Sequence, residues 1–383
     1  MEEWKINMEN NEVVVALGAE SAGNFSIYKN GIVYFSEDFG DLLDDQNFKK
    51  YQKELSNFLT KNKIRPTVIL SDLHPLFRTT VLAKQFAKKY KANHIPVQHH
   101  IAHIFSAIGD HIVELGTRNV KRNVIGIACD GTGYADDGSI WGGEIFSIQH
   151  AECNIQNTRI GHLENQILIG GEKAISEPAR VLMAILSKFL DKSIVNSHVK
   201  KFYTKNEFEV LYSQLQQNFN CIETSSTARI LDAVSVLLGF SKNERLSKHG
   251  PVQLLEQNST KPFNNLKPKI EYKVIGHRSL ASLNTTYLFE YLIKNNPPAG
   301  GKDKKRLAAT AQKYIADGLV EMIKNLQPAT CNLQPVFFAG GMANNKIISS
   351  ILKKQGVYIS KKIPPGDAGI SVGQLFYYLF NEK

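Results

Sequence analysis

The 383-residue chain has little cysteine and little tryptophan, four and two residues respectively. Cys129, Cys153, Cys221 and Cys331 lie far apart with no CxxC spacing. That excludes the usual zinc-ribbon pattern and a disulfide framework, and makes a reducing cytoplasm the expected setting. Long apolar runs are also missing. No stretch approaches the roughly 20 residues of a spanning helix, so no membrane partner is expected. The opening "MEEWKINMENNE" has neither the charge nor the apolar pattern of a signal or transit peptide. Charge of one sign is not concentrated. Lys and Arg number 46 against 36 Asp and Glu, a net charge of +10, but the lysines are spread out. The densest run, "GKDKKR" from Gly301 to Arg306, reads as a loop entering a helix. No nucleic-acid motif accompanies it, so solvated surface is the expected role and a nucleic-acid partner is not expected.

What is present is an ordinary globular composition, long enough for two lobes. Residues 1–11 read as a tail. "VVVALG" is a short buried strand, and "FSIYKNGIVYFSE" is a hairpin about Asn30-Gly31. Phe48, Tyr51, Leu55, Phe58 and Leu59 share one face of a helix. "PTVILSDLH" and "HIPVQ" read as further strands, and a helix from His99 closes an N-terminal lobe over residues 12–118. The pattern then restarts with the buried strand, turn and hairpin of "NVIGIACDGTGYADDGSIWGGEIFSI". Two such beginnings predict a duplicated α/β fold with its first turns facing each other across a cleft. The C-terminal lobe spans 119–383, with helical insertions over about 173–310. Residues 241–303 have the least regular pattern.

His99 and His103 stand at i and i+4, so on a helix their imidazoles share a face and can grip one cation. The plain alternative is a satisfied pair at a packing interface. Asp130 ends a buried strand, and Asp367 lies between a strand and a helix in "PPGDAGI". Such positions line the cleft of α/β folds, although an Asx turn and a helix N-cap would also explain them. Three glycine-rich segments could approach phosphate through backbone N–H groups. They are "DGTGY" with Gly131, Thr132 and Gly133, "GGEK" with Gly170, Gly171 and Lys173, and "AGGMANN" with Gly340, Gly341 and Asn345. None is a Walker or Rossmann fingerprint. Lys173 and Arg180 could bind an anion, with Glu177 orienting Arg180. A solvent-facing helix start is the alternative there.

In order, "VQHHIAHIFSAIGDH", "DGTGYADDGSIWGGEIF", "GGEKAISEPAR", "TSSTARILDAV", "GGMANN" and "PPGDAGISVGQ" resemble the C-terminal domain of the HypF family of hydrogenase-maturation carbamoyltransferases. That domain is similar to the universal tRNA threonylcarbamoyladenosine transferase and to antibiotic O-carbamoyltransferases. The resemblance covers nearly the whole chain and implies the two-lobed actin/Hsp70/sugar-kinase type of fold, with duplicated RNase H-like lobes and an active-site cleft between them. The last helix is then expected to return to the N-terminal lobe.

By the same resemblance, His99, His103, Asp130 and Asp367 would hold iron or zinc. The glycine segments, Lys173, Glu177, Arg180, Asp232 and Asn345 would hold the AMP moiety of carbamoyl-adenylate, with Mg a further candidate ion. The implied reaction is transfer of the carbamoyl group to a HypE-like partner's C-terminal cysteine. A small-molecule acceptor, or a non-catalytic role binding nucleotide and metal, are the alternatives. Full-length relatives also make the carbamoyl-adenylate, so a separate YrdC-like protein is the expected supplier. Two positions depart from the family. Its first loop carries a Lys where this chain reads "GAESAGNF", and its "YEG" segment is replaced in "SKHGPVQLLE".

Overall fold

The computed structural model describes residues 1–381 except 7, 9, 116–122, 136, 151–154, 248–249, 277, 297–302 and 327–333. Cys153, Cys331, Gly301 and Lys302 therefore lie outside the described residues, as does the expected lobe boundary at 118/119.

The first sheet contains β1 (Glu2–Lys5), β2 (Val14–Ala16), β3 (Ser26–Lys29), β4 (Ile32–Phe35), β5 (Val68–Asp72) and β6 (Asn93–Val97). Its spatial order is β1-β4-β3-β2-β5-β6. The β2-β3-β4 meander is antiparallel, whereas β5 and β6 add in parallel. Asn30 and Gly31, with φ of 51° and 78°, form the β3–β4 turn, as two-residue hairpins of primed geometry require. The expected tail needs correction. Glu2–Lys5 pairs with β4, and Ile6 and Met8 are buried. The alternation of apolar Trp4 and Ile6 with charge is too short to stand out as a strand in the sequence.

The second sheet repeats the same five-strand connectivity. It contains β7 (Asn123–Tyr134), β8 (Ile140–His150), β9 (Ile155–Leu163), β10 (Gln166–Ile169), β11 (Cys221–Thr224), β12 (Ile270–Ile275), β13 (Arg278–Leu283), β14 (Val336–Ala339) and β15 (Tyr358–Ile359). The path runs β12-β13-β9-β8-β7-β14-β15, with β10 and β11 beside β8. Here too the first three strands are an antiparallel meander and the last two are parallel. This is the two-lobed α/β fold that the resemblance implies. The insertion is not wholly helical, however. β11 joins β8, and the β12–β13 hairpin extends the sheet through β9. The hairpin lies within the segment with the least regular sequence pattern; its outer strand alternates Ile270, Tyr272 and Val274 with Glu271 and Lys273, but leaves Tyr272 and Val274 exposed.

Helices Asp45–Lys61 and Arg78–Tyr90 cover one face of the first sheet. Tyr51, Leu55, Leu82 and Phe86 pack there on Val15, Ile27 and Ile69. Its other face and the second sheet share a core made by helices His99–Leu115 and Ile370–Asn381. Ile104, Phe105, Leu375 and Phe376 meet Val14 and Leu70 from one sheet and Ala128 and Phe337 from the other. Each such side chain stabilises by about 1.5–3 kcal/mol on burial, so the two helices bind the lobes together. The C-terminal helix contacts β2, β3 and β5 as well as the His99 helix.

Candidate metal centre between the lobes

The polar side chains of the centre come from a helix start, an irregular point of a strand and a turn before a helix. His99 and His103 occupy the first turns of the His99–Leu115 helix, buried with the rest of that apolar segment. Asp130 lies in β7, where the pairing with β8 shifts register between Cys129 and Gly133. Asp367 opens the 3-10 turn Asp367–Gly369 before the C-terminal helix. One ligand atom from each of the four lies within 4.8 Å of the others. His99 Nε2 is 3.4 Å from Asp130 Oδ2 and 3.8 Å from Asp367 Oδ1, and His103 Nε2 is 3.4 and 3.5 Å from the same oxygens.

These residues fit a metal ion. His103 is buried, and neither ring nitrogen has a hydrogen-bond partner among the described residues, although two carboxylates face Nε2 just beyond good bonding distance. Two imidazole nitrogens and two carboxylate oxygens are donors for zinc or iron, and the carboxylates balance a divalent charge. Burial disfavours charge on His99, yet Asp72, Asp130 and Asp367 outweigh it and hold the imidazole well above its ordinary range. Burial likewise opposes the Asp130 carboxylate, but His103 and His99 hold its pKa well below the usual value. A cation would displace the imidazole protons, so its uptake would release them.

A fifth residue completes the arrangement without having been singled out in the sequence. Asp72, at the end of β5 and fully buried, has Oδ2 2.6 Å from His99 Nδ1. It fixes the ring so that Nε2 faces the cluster, the way a carboxylate orients a metal-binding histidine. Its signal was a carboxylate closing the buried strand "PTVILSD"; Asp130, expected to close a strand likewise, instead lies within β7, which runs on to Tyr134. Ser21, in the loop that departs from the family, donates its hydroxyl to Asp367 Oδ2. His100 lies off the cluster. Its ring is held neutral by burial and by its histidine neighbours, and it touches Gln98.

The remaining predicted residues divide into separate groups. Gly340 has φ 94°, and a Cβ there would lie 2.3 Å from the Cys129 carbonyl oxygen. This close approach lets the Gly341 N–H donate to Asp130 Oδ1 at 3.2 Å. Gly341, Asn345 and Arg229 border a cavity of about 530 Å³. Asn345 caps the Lys346–Lys354 helix and bonds Gln312 at 2.7 Å. Gly131 is half-buried and Thr132 exposed, while Gly133 makes room for the His100 ring, 2.1 Å from where a Cβ would sit. Asp232 pairs with Arg229 at 2.8 Å inside the Thr227–Leu238 helix.

Lys173, Glu177 and Arg180 instead line a different groove, of about 950 Å³, with Tyr203 and Asn243. It shares no lining residue with the cavity at Gly341. Both cations bind Glu177, at 3.0 and 2.7 Å, and Arg180 Nη1 lies 2.8 Å from where a Gly170 Cβ would be. Gly170 and Gly171 thus pack beside Arg180. Arg229 was missed because one arginine in the apolar stripe of "TARILDAVSVLLGF" carries no spacing signal.

Residues 126–374 match the family described as "Carbamoyltransferase, Kae1-like Domain, second subdomain", and residues 9–110 match the HypF Kae1-like domain. The chain is 33% identical to the probable carbamoyltransferase HypF of Methanocaldococcus jannaschii, over 98% of this chain and 47% of that one. It is 26% identical to a carbamoyltransferase HypF homolog of Cupriavidus necator, over 94% of this chain and 90% of that one. A full-length HypF crystallised with phosphate and nucleotide superposes with a TM-score of 0.80 at 25% identity, over 98% of this chain and 47% of that one. The chain thus spans about half the length of the first of these relatives and of that solved structure. By these matches, and in keeping with its two-lobed fold and buried His/Asp cluster, the chain belongs to the HypF-type, Kae1-like carbamoyltransferase domain family.

Proposed function

We propose that the chain is a carbamoyl transferase. It moves a carbamoyl group from carbamoyl-adenylate to the C-terminal cysteine thiol of a HypE-like partner, in maturation of nickel-iron hydrogenase. The observation that carries this reading is the convergence of four ligand atoms within 4.8 Å, in a chain of a carbamoyltransferase family. His99, His103, Asp130 and Asp367 would hold the iron or zinc ion, which when bound supplies a Lewis acid to polarise a carbonyl. Asp72 keeps the His99 ring aimed inward, and the Gly341 N–H holds one Asp130 oxygen in place. The buried setting keeps water from a labile acyl-adenylate.

In the transfer, the acceptor thiol first loses its proton. Its sulfur bonds to the carbamoyl carbon, the bond from that carbon to the AMP phosphate oxygen breaks, and AMP leaves with the electron pair. A nucleotide site is supported by the solved relative that binds nucleotide and phosphate. We assign the supply of carbamoyl-adenylate to a separate YrdC-like enzyme.

Reconstitution with ATP, carbamoyl phosphate, metal, the YrdC-like enzyme and the HypE-like acceptor tests this, read as the intact mass of the acceptor. Carbamoylation only when both enzymes are present is expected. Carbamoylation by this chain alone would overturn the divided pathway. No transfer under any pairing, with metal and nucleotide still bound, would make the chain a binding subunit.

A further inference from the structure

We infer that Arg229 is the anion-binding residue of the cavity beside the metal centre, and that it takes a phosphate group of the nucleotide. This rests on the nucleotide reading above. Arg229 is 1% exposed and lines the cavity together with Gly341 and Asn345. Its Nη2 pairs with Asp232 at 2.8 Å, but Nε and Nη1 are buried with no hydrogen-bond partner among the described residues. A guanidinium cannot shed its charge, and leaving two of its three nitrogens unpaired in the interior is costly. A ligand with several acceptor oxygens would satisfy them.

The surroundings point to an anion placed against the metal centre. The Ser226 hydroxyl donates to the carbonyl oxygens of Asp130 and Gly131, at 3.0 and 2.7 Å, which ties the start of the Arg229 helix to the strand carrying the metal-site aspartate. Gly131 has no side chain to fill the space before Arg229, whose Nη2 is 3.7 Å from where a Cβ would be. Arg245, which lines a separate groove with Glu172 and Ser176, lies near enough for its charge and that of Arg229 to act on each other. Its pKa is lowered to about 10 by burial and by the charge of Arg229, with Asp232 and Asp130 opposing. Glu256, the acidic residue of the cavity wall, accepts the Lys346 N–H at 2.8 Å. The apolar side of the cavity, Ala228, Val252 and Met342, suits the nucleoside.

Calorimetry with inorganic phosphate, AMP and adenosine separates these contributions. Phosphate and AMP should bind Arg229→Gln about 10–100-fold more weakly than the unaltered protein, the scale of lost charge-assisted hydrogen bonds, with adenosine unchanged. Unchanged phosphate affinity in folded Arg229→Gln would overturn the assignment. So would equal losses for AMP and adenosine, or no phosphate and no AMP binding to the unaltered protein. Phosphate binding that depends on Arg229, without binding of AMP or adenosine, would keep the anion site and remove the nucleotide reading. Should Arg229→Gln fail to fold, Arg229→Lys, which keeps the charge but not the planar fork, should still weaken phosphate binding. Equal affinity in that variant would overturn the proposal.

Discussion

The two lobes share one strand connectivity but distribute their chemistry in opposite ways. In the N-terminal lobe the first core strand, β2, runs into Gly18 with φ 71°, and the fourth, β5, ends in Asp72. In the C-terminal lobe the order is exchanged. The first strand, β7, carries Asp130, and the fourth, β14, runs into Gly340 with φ 94°. A Cβ on Gly18 would lie 2.6 Å from the Asn24 carbonyl oxygen, and one on Gly340 would lie 2.3 Å from that of Cys129. Duplication therefore sets where strand ends meet in the cleft, but not which end is acidic. The acidic ends also differ in role. Asp130 faces both imidazole Nε2 atoms, whereas Asp72 holds the far nitrogen of one.

The largest expected effects break the glycine half of this comparison. Gly340 has a backbone conformation open only to glycine, and its neighbour is backbone that cannot swing aside. Gly340→Ala should cost about 3–5 kcal/mol and Gly18→Ala about 2–4 kcal/mol, read as denaturant midpoints. Equal stability of Gly340→Ala and the unaltered protein would sink the argument.

Next come the carboxylates. Asp130→Asn should lower metal affinity by more than about 100-fold, and Asp72→Asn by about 10–100-fold, measured by chelator competition. Similar losses in both would mean that the two aspartates do not play different roles.

A smaller effect concerns the insertion between β9 and β14, which the N-terminal lobe lacks. Glu164, just after β9, accepts from Lys188 Nζ at 2.8 Å and from the Thr286 N–H at 2.7 Å, anchoring two insertion helices. Burial pushes its pKa up, but the Lys188 and Thr286 contacts outweigh it and leave the carboxyl below its ordinary value of 4.5. Its contribution is thus present above that value and lost as pH falls through the lowered one. Glu164→Gln should cost about 1 kcal/mol at neutral pH, and the difference should close on acidification. A difference that grows on acidification would contradict the sign.

The smallest test needs no mutation. Burial raises the Cys129 thiol to about 12, so alkylation of the native protein should reach the partly exposed Cys221 well before Cys129.

How much of this was legible in the sequence depends on the range of the signal. The His99 and His103 spacing is local, and helical periodicity places both rings on one face. Asp130 and Asp367 each close a local pattern, and their meeting across 237 positions came through the resemblance rather than through spacing. "GGEKAISEPAR" sets Glu177 against Arg180, as its spacing implies, while the long-range fold places that cluster along a groove other than the one at Gly341. β1 and β12 lie at sheet edges; β1 is too short for its alternation to stand out, and β12 alternates Ile270, Tyr272 and Val274 with charge inside a segment otherwise rich in Asn, Lys and Pro. Asp72 and Arg229 are single polar residues in apolar segments, whose partners only the tertiary structure brings close.

The most direct test of the central claim, that the cleft-facing His/Asp cluster is a metal site, is elemental analysis of the purified protein beside folded His103→Ala. The account predicts about one iron or zinc per chain in the former and little in the variant, which loses one of its donors. Equal metal content in the two would contradict it.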